Sequence, residues 1–529
     1  MANPPPHQAR KLKPWVQKCV NWAGRFGHPI VLSTLATSAI VLVVRTVGGV
    51  QGLELGVYDQ MMRLRSPLSP DDRILVVGID ETDIQSRGEW PIKDSTLVEL
   101  LDILLAANPR AIGLDIFRDV PIGEDHEQLL AQLKNNQQVF SVCRMNSADN
   151  PGVPPPSDVA FEQVGFADLV VDPGGILRRS LLFAQPPNIS TATAEHVCND
   201  PNSQLSSLSF QIALSYLAEE GIDPEITQDQ QFKLKDTVLP RLASNIGGYT
   251  HVDAGGYQLL LNFRAGRDAV SQVSLVNVLS GDVAPEQIRD RVVLIGTTAS
   301  EAKDEFYTPY SGGLQDSQKM PGVVVHAQAV SQILSAVLDG RPFLWSWSTL
   351  GEGVWIVSWG LGGSLFAWFV RRPIRFTLGT IVLLSSLYGT CYLLFLYGGW
   401  IPLVPPAVAL ALAAGGVVLI DRFNKSDYGK AVYKQMKSLL RLDIAIDSSK
   451  VGQQVAEITE TEYFASLQKQ ARQLRQNRQT SSTTSETGIP KKKNCPQPKP
   501  DTPTNMEDYF DDLKREARRL KSSDNDKAD

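Results

Sequence analysis

The apolar residues of this 529-residue chain are gathered in two places, and that distribution constrains the fold more than any single motif. One is the run PIVLSTLATSAIVLVV at 29–44. The other is a dense region from 343 to 420 that divides into GVWIVSWGLGGSLFAWFV, FTLGTIVLLSSLYGTCYLLFLYG and IPLVPPAVALALAAGGVVLI. Each run approaches the ~20 residues that a helix needs to cross a hydrocarbon core. A composition of 43% hydrophobic and 20% charged residues would suit a soluble protein, so it is the clustering that argues for a membrane protein.

Basic residues set the orientation. Arg10, Lys11, Lys13, Lys18 and Arg25 precede the first run, which carries no convincing small-residue cleavage site and extends to Val50 if Arg45 snorkels. It reads as an uncleaved membrane helix with its basic side in the cytoplasm. The loop RRPIR holds Arg371, Arg372 and Arg375, the next loop GGWIP is uncharged, and Arg422, Lys425, Lys430, Lys434 and Lys437 follow the last run. Basic, neutral, basic is the pattern of inside, outside, inside. The expectation is four transmembrane helices, at 29–50, 346–370, 376–398 and 400–420. A soluble block at 51–345 lies outside, and the basic N-terminus (1–28) and the tail (421–529) are cytoplasmic. The tryptophans Trp345, Trp347, Trp355, Trp359, Trp368 and Trp400 read as interfacial anchors, and GLGG at 360–363 as a helix-packing surface.

Within the soluble block, strand and helix patterns alternate. ILVVGID at 74–80, AIGLDIF at 111–117 and QVFSVCRM at 138–145 read as buried strands, and a helix beginning near Pro91 and the segment HEQLLAQL lie between them. Such alternation favours an α/β domain with a parallel sheet. In such sheets the carboxyl ends of the strands open onto a crevice that commonly holds ligand, which singles out Asp80 and Asp115. The stretch from Val292 to Leu338 repeats the pattern. VVLIGTT suits a buried strand, an acidic loop carries Asp304, and VVVHAQAVSQILSAVL has helix-period apolar positions with His326 in its first turn. SLSFQIALSYLAEEG reads as a helix stopped by Gly221, and YQLLLNFRAG as a strand. GFADLVVDPGGILRRSLLF carries a hairpin signal, with Arg178 and Arg179 placed either to clamp an anion or to sit as solvated charges at a strand edge.

Four blocks in this region, WPIKDSTLVELLDIL, PRAIGLDIF, RVVLIGTTASEAKDEFYTP and MPGVVVHAQAV, resemble, in that order, the CHASE2 domain, an extracytoplasmic sensory module of bacterial receptors. The likeness spans roughly 51–345, with Lys93 where the family pattern would place Arg. It implies a multi-pass protein of a bacterial plasma membrane that detects an unknown small ligand or environmental signal outside the cell, with a homodimer as one possible form. Relatives of this kind usually carry a kinase or cyclase output domain after the last span. Residues 421–529 contain no His, no HRD-type catalytic loop and no GxxxxGK[ST], so the expectation is a protein without its own enzymatic output.

A net charge of −6 gives no reason to propose nucleic acid as a partner. None of the five cysteines forms a CxxC or shares metal-ligand spacing with His, so neither metal nor cofactor is expected. Cys143 and Cys198 could pair in an oxidising compartment, although two unrelated buried thiols is the reading preferred from sequence. The tail, otherwise mostly disordered in composition, repeats itself: EYFASLQKQARQLRQ at 462–476 and DYFDDLKREARRLKS at 508–522. Phe464, Leu467, Ala471 and Leu474 match Phe510, Leu513, Ala517 and Leu520 in spacing, so each copy makes a narrow helical stripe that could dock on an effector protein or on membrane lipid. The favoured reading is a receptor whose tail recruits an effector in trans, with Asp80, Asp115, Asp304 and His326 as ligand-binding candidates. The alternatives are an ectoenzyme that uses those four residues, and a membrane scaffold that senses nothing.

Overall fold

A computed structural model describes residues 28–188, 196–312 and 318–426. The basic leader and the docking candidates Phe464, Leu467, Leu474, Phe510, Leu513 and Leu520 lie outside the described residues.

The chain enters through helix α1 (His28–Thr46) and, after a short turn, helix α2 (Gln51–Leu64). A βα-alternating block follows: β1 (Asp71–Ile79), α3 (Glu81–Arg87), α4 (Asp94–Ala106), β2 (Ala111–Asp115), α5 (His126–Asn135), β3 (Val139–Cys143) and β4 (Val164–Phe166). Then come β5 (Arg179–Ala184), α6 (Leu208–Glu219), β6 (Tyr257–Leu260), β7 (Val270–Ser274), α7 (Leu275–Leu279), β8 (Val292–Thr297) and α8 (Gly322–Leu338). Helices α9 (Thr349–Phe369), α10 (Pro373–Leu396) and α11 (Val404–Lys425) complete the described chain.

Six strands form one sheet in the order β7-β1-β8-β2-β3-β4, every pairing parallel. The strands read as unbroken apolar runs because both faces are covered. Leu75, Val77, Ile112, Leu114, Val293 and Ile295 meet α4, α5 and α7 on one face. Ile74, Val76, Ala111, Val292 and Leu294 meet α6 and α8 on the other. Adjacent residues thus serve opposite layers, as a period of two requires. Helix α8 is buried on all sides from Gly322 to Val337, which explains a helix with almost no polar stripe. A smaller antiparallel sheet joins β5 to β6 and to the short strand Leu205–Ser206.

Cys143 and Cys198 are joined in a disulfide, against the preferred reading of two unrelated thiols. The two lie 55 residues apart in sequence, and nothing local in either segment signals that β3 and the 196–200 loop meet.

Among the described residues three helices are long and apolar enough to cross a membrane: Pro29–Thr46, Pro373–Leu396 and Val404–Phe423. The remaining apolar segment forms α9, comparable in length and with Glu352 in its first turn, and it is not one of those three. It packs tightly all the same. Thr34 of α1 donates to Ser364 at 2.9 Å, Ser33 donates to the Ala413 carbonyl at 2.8 Å, and Gly360 and Gly363 face α11, as the helix-packing reading of GLGG expects.

Candidate functional site

Parallel strands all point their carboxyl ends the same way, so residues just past β2, β4 and β8 converge on one edge of the sheet. Asp115 is the last residue of β2. Asp168 lies two residues past β4, and Asp304 occupies the loop after β8. The buried side chain of His326 rises into this edge from the second turn of α8. The structure therefore gathers Asp115, Asp304 and His326, and adds Asp168, which the sequence reading took as part of a hairpin.

Each group is held by identifiable contacts. The Gly322 amide donates to the Asp304 backbone carbonyl at 2.9 Å, and a Cβ at position 322 would lie 2.6 Å from the Asp304 carboxylate. The Pro-Gly that opens α8 is thus required for a carboxylate to approach so closely. Asp168 accepts from the Met145 amide at 3.0 Å. Its nearest cationic partner, Arg144, is 4.0 Å away and half exposed. His326 Nδ1 lies 2.7 Å from Ser209 Oγ on α6, and the Ala167 carbonyl also accepts from the ring. Buried and held by Ser209 and Ala167, His326 is a fixed neutral hub rather than a free general base.

Three carboxylates and no buried cation make this edge electrostatically unbalanced. Burial pushes Asp115 up to about 7. Burial, and then the neighbouring Asp115 charge, push Asp304 up to about 6, while His326 and Arg144 oppose the shift. Burial also raises Asp168, against the pull of the Met145 amide and Arg144. His326 is driven the other way, to about 4, by burial that outweighs the attraction of Asp304. Near neutral pH the set holds at least one proton more readily than isolated aspartates would. All three aspartates are half-buried rather than fully enclosed. Among the described residues no group of three or more His, Cys, Asp or Glu is arranged to hold a metal ion.

Asp80 stands apart from this set. It is the N-cap of α3, accepting from the Asp83 amide at 2.8 Å while Asp83 accepts from the Asp80 amide at 2.9 Å. A strand-end acid followed three residues later by a second acid is a capping box, and that signal was present in the sequence. Asp83 is buried and also receives the Leu275 and Val276 amides, so this pair ties α3 to α7.

Arg178 and Arg179 neither clamp an anion nor sit solvated at an edge. Both are buried, in a network described below with Asp59 and Asp172. Buried Asp94 and Arg118 form a further set with the half-buried His126, Arg118 lying 2.9 Å and His126 2.7 Å from Asp94. Arg118 lies three residues past Asp115 and also donates to the Phe117 and Ile92 carbonyls, which fixes the loop leaving β2.

The family profile of the CHASE2 domain matches residues 36–365. No curated protein and no solved structure shows significant similarity to the chain.

Proposed function

The chain belongs to the CHASE2 domain family, an extracellular sensory family, and from that premise we propose that it is a four-span membrane sensor that reads its signal at the Asp115–Asp168–Asp304–His326 edge. The observation that carries this reading is the charge imbalance there: three partly exposed carboxylates crowd a buried neutral imidazole. A signal that lowers negative charge, either a proton or an organic cation seated among the carboxylates, relieves the repulsion and biases the surrounding loops. The cytoplasmic tail then recruits an effector in trans through its two helical copies, at 462–476 and 508–522.

The orientation has structural support beyond the charge alternation. A disulfide between Cys143 and Cys198 suits an oxidising compartment. The 397–403 loop packs on the outer domain, with Trp400 against Tyr58 and the Leu403 amide on Glu54. On this reading that loop shares a side with the domain, and the Arg371–Arg375 loop at the other end of α10 lies on the opposite one. Membrane-impermeant labelling of introduced cysteines tests this arrangement. Sites at 150 and 200 react from outside whereas 374 and 480 do not, and external labelling at 374 would overturn four spans.

A further inference from the structure

We propose that helix α2 is the joint through which the outer domain grips the membrane helices, with Glu54 and Trp400 as its two bolts. The proposal rests on the sensor reading only for what the joint transmits. The joint itself stands on contacts that meet within two turns of α2.

The first bolt is a helix cap. Helix α11 begins Val404-Pro405-Pro406, and the two prolines have no N–H, so the amides of Leu403 and Val404 are the free donors at its start. Glu54, itself buried, accepts both, each at 2.8 Å. A side chain of α2 thus supplies the whole cap of a span. Around it, the Gln51 side chain of α2 accepts from the Thr250 amide at 2.9 Å, and Arg45 at the end of α1 pairs with Glu352 in the first turn of α9. Arg45 also donates to the Gly247 carbonyl at 3.1 Å. Three span ends are thereby fastened to α2 and the 245–250 loop.

The second bolt is Trp400, fully buried between Tyr58 of α2, at 4.8 Å between ring centroids, and Tyr249, at 5.5 Å. A Cβ at Gly247 or Gly248 would come within 2.5 Å or 2.7 Å of its ring, so the loop must be Gly-Gly for the indole to seat. The indole Nε1 has no acceptor in this arrangement, although it is buried.

Behind the bolts lies the ion network. Tyr249 donates to Asp172 at 2.6 Å, Arg178 bridges Asp172 at 2.6 Å and Asp59 of α2 at 2.7 Å, and Arg179 holds Asp172 at 2.9 Å. The 172–178 hairpin is strapped in turn to the loop that carries Asp304, with the Leu177 amide donating to the Tyr307 carbonyl at 2.7 Å. A continuous run of directed contacts therefore leads from the loop of Asp304 to the start of α11.

The test uses the full chain in lipid nanodiscs and reads amide hydrogen exchange at Leu403 and Val404. Glu54→Gln, which halves the acceptor capacity at the cap, accelerates exchange there by about tenfold. Tyr249→Phe, which removes one hydroxyl from the far side of Trp400, accelerates the same amides by a few-fold through the ring contact. Arg110→Gln, at the amino edge of the sheet beside Glu219 and Glu220, leaves them unchanged. If Glu54→Gln acts and Tyr249→Phe does not, Glu54 is a local cap and the joint is refuted. Equal acceleration by Arg110→Gln signals general loosening and refutes it as well. No signal is applied, so failure here leaves the charge-reading edge untouched, and failure of that edge to respond to pH leaves the joint standing.

Discussion

Two acid-rich regions of the outer domain use the same residue types to opposite ends. In the network behind α2, Asp59 and Asp172 meet Arg178 and Arg179, with Tyr249 and Gln258 completing the donors and acceptors, and every group is buried. At the carboxyl edge of the sheet, Asp115, Asp168 and Asp304 meet one neutral His326 and a distant Arg144, and the carboxylates stay partly open to solvent. The number of fixed cations decides the difference. Matched charges lock a structure in place, whereas unmatched ones leave carboxylates poised to titrate in the range where cells live.

The sharpest way to break this comparison is to unbalance the matched network. Arg178→Ala strands Asp59 in the interior, leaves Asp172 to Arg179 and Tyr249, and costs about 3–5 kcal/mol, read as a large fall in the thermal midpoint of the outer domain. Loss below about 1 kcal/mol would mean that the network is not the structural half of the pair. Removing the Cys143–Cys198 bridge as a double serine variant comes next. It closes a loop of more than fifty residues, and its loss costs about 2–4 kcal/mol under non-reducing conditions, with no change in the pH response.

Asp115→Asn has the opposite sign. The folded-state value of Asp115, about 7, lies above that of an unfolded carboxylate, so its protonated form is the one that folding favours. Its contribution is fully present in acid and is lost as pH rises through about 7. Asparagine mimics the protonated form without titrating. The variant is therefore more stable than the parent above pH 7, by about 1 kcal/mol once partial exposure is allowed for, and the advantage shrinks towards pH 4. Asp304→Asn follows the same course with its window ending near 6. The opposed case is His326, whose depressed value of about 4 gives a contribution present at neutral pH and lost as pH falls through it. A destabilising Asp115→Asn at pH 8 would make the edge structural. The smallest effect belongs to Asp80→Asn, which keeps an N-cap acceptor, shifts stability by less than about 0.5 kcal/mol and leaves the pH response intact.

Much of the fold was legible because buried parallel strands announce themselves as apolar runs, and 74–80, 111–117 and 292–297 each became a strand. Asp115, Asp304 and His326 could be placed by strand-end position alone. Asp168 follows β4 in the same way, but the hairpin signal of the next few residues masked it. Ser209 gave no signal, since a serine inside a helix is indistinguishable from a surface residue until the partner is known. Arg178 finds Asp59 across 119 residues of sequence, and Cys143 finds Cys198 across 55, and no local pattern encodes such pairings. Trp400 was grouped with the interfacial tryptophans by composition, yet it is fully buried between Tyr58 and Tyr249, because Gly247 and Gly248 leave room for it.

The central claim is that the carboxyl edge changes its proton count between pH 5 and 8. Amide exchange at 304–308 and 322–326, followed from pH 5 to 8 in the full chain in nanodiscs, tests it most directly after correction for intrinsic pH dependence. Protection at these segments falls as pH rises through 6 to 7 in the parent protein, and the transition disappears when Asp115 and Asp304 are both replaced by Asn. Protection around Asp59, Asp172 and Arg178 stays level throughout. A flat profile at 304–308 and 322–326, or a transition that survives the double replacement, would contradict the claim.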